Sequence, residues 1–335
     1  MTITGIETLV YGVGDVAESA RFFADFGLTR MADDSPGVAR FTLPEGSHVV
    51  LRHRDDPALP PTRMVGDGVR EVIWGCRSAA QRDALAAELA TNLDVRRDVD
   101  GTAHFLADFG VAMGLRTFAP QAVVSAPDPL NAPGRINRLN QHRKWRLRAR
   151  PKVIAHVVFA VPGYEAGYAF MRDRLNFRLS DSQRGFGKYL RAPGSIQHHN
   201  LLLLNADAPV PDMDGTLRFH HANFGVEDID EMMVGANHMV RKGWDASHLG
   251  LGRHRIDSAL FYYIPCPAGG EAEYGADGDA VDDGWVPRQW TNPLFGYAHF
   301  VSNLPPFLLD EPSWDFHYIT EGDAPLDADV AVGAH

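Results

Sequence analysis

Val153-Ile154-Ala155-His156-Val157-Val158-Phe159-Ala160-Val161 is an apolar run interrupted by one histidine and closed by Pro162-Gly163. Beyond that break Tyr164, Tyr168, Met171 and Leu175 recur at a spacing of three to four. The run is far shorter than the roughly 18 residues of a membrane span, so it reads as a buried strand feeding an amphipathic helix. Three other stretches repeat the pattern. Ile6 to Val13 precedes a helix with Val16, Ala20, Phe23 and Phe26; Val69 to Cys76 precedes one with Leu85, Leu89 and Leu93; His221 to Val226 precedes one with Ile229, Met232, Met233, Ala236 and Val240. Asp15…Glu18, Ser78…Gln81 and Asp228…Glu231 have the spacing of capping boxes at three of the helix starts.

Strand-like runs follow each helix: Ala39 to Leu43 and His48 to Leu51, Ala103 to Leu106 and Val111 to Leu115, Gly187 to Leu190 and Asn200 to Leu204, Ser258 to Ile264 and Gly270 to Tyr274. The unit is therefore strand, helix, then about three strands. Helix starts at 15 and 78, and again at 163 and 228, are separated by similar intervals, while the middle gap is longer by the Pro-rich, basic stretch at 119–150. The expected fold class is α+β: four βαβββ modules paired into two similar domains. Residues 1–118 form an N-terminal domain without metal ligands, 119–150 a linker, 151–276 a C-terminal metal-binding domain, and 277–335 a tail packing near the active site. Trp285, Trp290, Phe295 and Phe300 are the tail's aromatic contribution.

Composition narrows the function. The chain has 335 residues, 45% hydrophobic and 22% charged, and a net charge of −11. That balance argues against a nucleic-acid binder, which needs a basic face. The one basic stretch, Arg135 to Lys152 with eight Lys or Arg, reads as a solvated connector rather than an anion patch. Cys76 and Cys266 are the only cysteines, which excludes a disulfide framework and a Cys-based zinc cage; Cys266 reads as inert. No membrane segment or signal peptide is evident, so a cytoplasmic location is expected.

Eleven of the fifteen histidines lie at or beyond His156, which points to chemistry in the second half. Strand alternation puts Glu271 and Glu273 on one face and Ala272 on the other. A buried carboxylate needs a partner, and His156, His221 and Glu273 make a candidate 2-His-1-carboxylate set of the kind that leaves metal positions open. Satisfied core histidines remain the plainer reading of such residues taken singly. The repeat supplies a control: Thr8 stands opposite His156, Glu71 opposite His221 and Met113 opposite Glu273, so the scaffold does not itself demand these ligands. His198 and His220 read as structural neighbours on the other strand face. His238, His248, His299 and His317 read as surface or packing residues, with His248 near enough to His254 to line a pocket. Asp277 to Asp283 lacks the ligand ladder of a calcium loop.

Ala155-His156-Val157-Val158, His198-His199-Asn200-Leu201, Phe219-His220-His221, Gly250 through Asp257, and Phe261-Tyr262-Tyr263 through Glu271-Ala272-Glu273-Tyr274-Gly275 together resemble the two-domain type I extradiol ring-cleavage dioxygenases of the vicinal oxygen chelate superfamily. The resemblance is clear over about 153 to 275 and degenerate over 5 to 118. It implies that each domain is an open curled barrel. By the same resemblance His156, His221 and Glu273 would ligate Fe(II), with Mn(II) equally suited to the set. His199 would be the acid/base, His254 and Tyr263 would contact substrate oxygens, and Asp257 would orient them. The implied partners are a catechol-type aromatic diol and O2, in a homo-oligomer; no nucleic acid and no membrane is implied. Ile256 departs from the family, where a polar residue is frequent, and Arg253 and Arg255 leave room for a carboxylated diol. The competing readings are a hydroquinone-type dioxygenase, a glyoxalase-like isomerase and a metal-free protein that binds an aromatic ligand.

Overall fold

The computed structural model describes residues 3–32, 35, 37–208, 213–291, 297–309 and 315–320; Phe295 lies outside them. Four long strands open the four modules: Ile3–Val13, Gly68–Cys76, Val153–Val161 and Arg218–Gly225. Each leads into a helix, α1 (Val16–Phe26), α2 (Ala79–Leu89), α3 (Tyr164–Leu175) and α4 (Ile229–Arg241). The side chains of Asp15, Ser78 and Asp228 accept the amides of Glu18, Gln81 and Glu231 and cap α1, α2 and α4, as the spacing predicts. Gly163 starts α3 without a side-chain cap.

In every module the opening strand pairs parallel with the module's last strand: Ile3–Val13 with His48–His53, Gly68–Cys76 with Ala112–Thr117, Val153–Val161 with Leu201–Asn205, and Arg218–Gly225 with Glu271–Ala276. Opening strands then pair antiparallel two by two, which gives an eight-stranded and an eleven-stranded sheet. Three strands beyond Ala276 extend the larger sheet. Arg288–Trp290 runs parallel to Arg178–Gln183, Phe316–Tyr318 lies outside it, and Phe300–Val301 pairs with Gly252–Arg253.

One continuous apolar core serves both sheets. Phe26 of α1 stacks on Tyr274 with centroids 4.0 Å apart, and the Tyr274 hydroxyl donates to the Phe26 carbonyl at 2.7 Å. The 119–150 stretch is tied down at its end. Gly27, in the left-handed region at φ 113°, has space for no side chain, because a Cβ would stand 2.2 Å from the Ala149 carbonyl oxygen. Among the described residues no helix is long and apolar enough to cross a membrane.

The pairing registers correct one sequence expectation. Val158 pairs with His221, which in turn pairs with Glu271, while Val10 pairs with Glu71, which pairs with Ala112. Two residues further along, the counterpart of Glu273 is Gly114 rather than Met113. Met113 lies on the opposite pleat face, where its sulfur receives the Trp74 indole N–H at 3.5 Å.

Candidate metal centre

His156 sits on the opening strand of the third module, His221 on that of the fourth, and Glu273 on the strand beside it. Parallel pairing sets Glu273 opposite Asn223, two residues beyond His221, and antiparallel pairing sets His156 opposite the same Asn223. The three side chains thus meet inside the curled sheet. His156 Nε2 lies 3.2 Å and His221 Nε2 3.3 Å from Glu273 Oε2, and the two nitrogens are 3.2 Å apart. Glu273 has no solvent exposure, yet neither carboxylate oxygen accepts a hydrogen bond. Burial and the neighbouring histidines hold His221 and His199 well below the ordinary imidazole pKa, so both rings are neutral. A buried carboxylate left without donors, faced by neutral imidazole nitrogen, is the donor chemistry of a divalent cation site.

The other residues singled out from sequence surround this triad. The His199 ring stacks on His156 with centroids 4.2 Å apart. Asp257 Oδ2 is 3.8 Å from His199 Nδ1. His254 Nε2 lies 3.2 Å from the Tyr263 hydroxyl and 3.9 Å from Glu273 Oε1, and its Nδ1 meets the Tyr297 carbonyl. Burial raises the Tyr263 phenol well above its usual pKa, so it keeps its proton. A cavity of about 340 Å³ opens beside the triad, lined among others by His156, His199, Asp257 and Asn223, with Val123 and Ser125 of the 119–150 stretch at its wall.

Neither His198 nor His220 points away as strand alternation suggests. His198 and His199 precede the strand that starts at Leu201, where alternation does not apply, and a register shift between Phe219 and His221 disturbs the second pair. His220 Nδ1 therefore lies 2.7 Å from His221 Nδ1, and His198 Nδ1 lies 3.2 Å from His199 Nδ1. Behind His198 stands a group the sequence did not disclose. Asp181, fully buried, lies 3.2 Å from His198 Nε2. It accepts the Arg288 main-chain amide at 2.7 Å and its guanidinium Nε at 3.1 Å. Arg288 also donates to the Ile256 carbonyl, next to Asp257. His198, His199 and Asp257 form a second group with metal-type atoms close together, but the His198–Asp181 contact already occupies one of its nitrogens.

Ile256 is buried in a small apolar cluster with Val158, Ala160, Tyr189, Leu202 and Trp290. Arg253 is 3.0 Å from Asp277 and donates to the Ser258 carbonyl; neither it nor Arg255 lines the cavity. His248 is exposed, 3.5 Å from Glu271, and does not line it either. Burial pushes the Cys266 thiol up to about 12, in keeping with an inert side chain.

No protein-family model matches the chain. Metapyrocatechase 2 of Cupriavidus necator is 30% identical over 209 residues, which are 62% of this chain and 62% of the relative. BphC, a halotolerant catechol dioxygenase, superposes with a TM-score of 0.69 at 19% identity, over 95% of this chain and 99% of that one. The chain is related to the extradiol dioxygenases and has their vicinal oxygen chelate fold. A Mn(II)-bound glyoxalase from Novosphingobium aromaticivorans shares this vicinal oxygen chelate fold, with a TM-score of 0.70 at 22% identity over 93% of this chain and 95% of that one. The chain thus matches less than two thirds of the curated extradiol relative's length.

Proposed function

We propose that this chain cleaves a catechol-type aromatic diol next to its hydroxyl pair, with O2 as co-substrate, to a ring-opened semialdehyde or keto acid. The observation that carries the reading is the Glu273 carboxylate, wholly buried and without a hydrogen bond, between His156 and His221. Those three side chains suit Fe(II) or Mn(II). Held by these residues, such an ion would supply the Lewis acidity that favours a deprotonated diol.

The rest belongs to the protein. His199, neutral and at the cavity wall, takes a proton from one diol oxygen at its free ring nitrogen and later returns it. Tyr263, held protonated, donates its hydroxyl hydrogen to an oxygen acceptor, with His254 beside it. Val158, Tyr189, Leu202 and Ile256 keep water from one side. A metal-free binding protein would leave Glu273 uncompensated, and a glyoxalase-like isomerase would consume no O2.

The test is oxygen uptake by anaerobically Fe(II)- or Mn(II)-loaded protein offered catechol, alkyl- and carboxycatechols, dihydroxybiphenyl and hydroquinones. Uptake matched one to one by a ring-opened product, and lost with bound metal in His156→Ala, is the expected result. Metal-loaded protein that isomerises a substrate without taking up O2 would overturn the proposal.

A further inference from the structure

The curled sheet around the metal triad has two unlike ends. Along the opening strand of the third module, Val158 and Ala160 run from His156 toward one end, where they join Leu202, Leu204 and Ile256 in the apolar cluster. The cavity of about 340 Å³ lies toward the other end, against Val153, Gly225 and Gly275. Val153 pairs with Gly225 and Gly225 with Gly275, so these three form one rung. The 119–150 stretch adds Val123 and Ser125 to the wall.

The repeat shows that this end need not be hollow. Val10 pairs with Glu71 as Val158 pairs with His221, so Ile73 stands in the place of Asn223, Glu7 in that of Ala155 and Arg116 in that of Gly275. Glu7 and Ala155 are the residues passed over at matching register shifts of the two opening strands. In the N-terminal domain Arg116 spans this end, donating from Nη1 to Glu7 at 2.9 Å and from Nε to Thr102 at 2.8 Å. In the C-terminal domain that ion pair is replaced by Ala155 and Gly275. A Cβ on Gly275 would stand 2.3 Å from Asn223 Nδ2, so the glycine is what gives the Asn223 side chain its room.

Asn223 shares a rung with His156 and Glu273 and is only 4% exposed. Among the described residues its carboxamide meets no hydrogen-bond partner, and it lines the cavity. A buried carboxamide left unpaired costs stability, and a ligand that offers it both a donor and an acceptor recovers that cost. The charge of the wall selects among such ligands. Lys152, its cation, lies 3.8 Å from Glu231, and Asp277 lies 3.0 Å from Arg253. Asp257 and Asp279 are held by the Ala259 amide at 3.1 Å and the Ser258 hydroxyl at 3.0 Å rather than by a cation. An anionic group entering here is repelled by these two carboxylates, and a neutral one is not.

We propose that this cavity is a specificity pocket which takes a neutral hydrogen-bonding substituent of the substrate ring, a hydroxyl or carboxamide group, on the Asn223 side-chain amide. The proposal rests on the ring-cleavage reading of the centre and names the diol it prefers: one that carries a third, uncharged polar group in place of an alkyl or carboxylate group.

The full-length protein, loaded with Mn(II) in the absence of O2, is titrated by calorimetry with catechol and with its hydroxymethyl, ethyl and carboxyl derivatives. Hydroxymethylcatechol is expected to bind about tenfold more tightly than ethylcatechol, the size of effect one hydrogen bond to a buried partner gives, and carboxycatechol to bind more weakly than the hydroxymethyl compound. Asn223→Leu, of nearly the same volume, is expected to retain its metal and lose the tenfold preference. Gly278→Leu is the second variant, since a Cβ there stands 3.6 Å from the Ala259 side chain and the longer side chain enters the cavity. It is expected to weaken hydroxymethylcatechol about tenfold and to leave the affinity for catechol itself unchanged. Ethylcatechol or carboxycatechol bound by the wild type as tightly as hydroxymethylcatechol, or a preference that persists in both variants, would overturn the proposal. O2 uptake with the same diols separates the pocket from the reaction. A protein that cleaves diols without this preference loses the pocket alone, and one that binds no diol with its metal in place loses both.

Discussion

Asp181 shows how much of a site can hide from sequence. It lies in Arg-Leu-Ser-Asp-Ser-Gln, Arg178–Gln183, whose last four residues are polar and all buried. A binary pattern assigns such a run to a surface loop, and the partners His198 and Arg288 stand 17 and 107 residues away in no motif. His156 stood out as a candidate for the opposite reason, since a lone imidazole in an apolar strand breaks the pattern. Asp181 has a predictable effect. A carboxylate accepting from His198 Nε2–H leaves His198 Nδ1 as a lone pair, so His199 Nδ1–H donates to it and the other His199 nitrogen is left for the proton transfer of the proposed reaction. Asp181→Asn should therefore leave bound metal unchanged and lower kcat about tenfold with KM little altered, whereas His199→Ala should cost on the order of 10²–10⁴ in kcat. Steady-state kinetics beside metal analysis would show it; loss of metal from either variant would count against an acid/base role for His199.

At the scale of elements, the four strand–helix openings were readable from their apolar period, and cap spacing agrees with it at three of them. Short strands were not, since Thr29–Arg30, Arg96–Arg97 and Gly252–Arg253 are two residues each and carry no period. The strand bearing His156 is also held from outside. Glu45 accepts the Ile154 amide and the Ser47 hydroxyl, each at 2.8 Å. Burial raises its carboxyl from 4.5 to about 7, against the pull of those two hydrogen bonds. A raised folded-state pKa gives stability that is fully present below the unfolded value and lost as pH rises through the folded one. Glu45→Gln should accordingly remove a loss on the order of 1–2 kcal/mol between about pH 5 and pH 8, allowing for partial exposure. Urea unfolding of both proteins across that range measures it, and parallel pH profiles would contradict the assignment.

At the scale of the molecule, the repeat was visible from the spacing of helix starts, whereas the sharing of one core by both sheets was not, because Phe26 meets Tyr274 across 248 residues. A shared core predicts one cooperative thermal transition, and a metal at 100 times its Kd should add about 2.7 kcal/mol to it as a whole. Calorimetry with and without a chelator tests this; two transitions with only one metal-sensitive would refute it. The strand registers hold one more consequence. Val158 faces His221 and His156 faces Asn223, so a half-turn about the axis between these two strands carries His156 onto His221. The same half-turn carries Leu202, the partner of Val158, onto Glu273, the partner of Asn223. The donor set is a symmetric cage of four with one corner replaced by hydrocarbon. The two imidazoles thus stand at symmetry-related positions of the two modules, and the departure from symmetry at Leu202 leaves the fourth side without a donor.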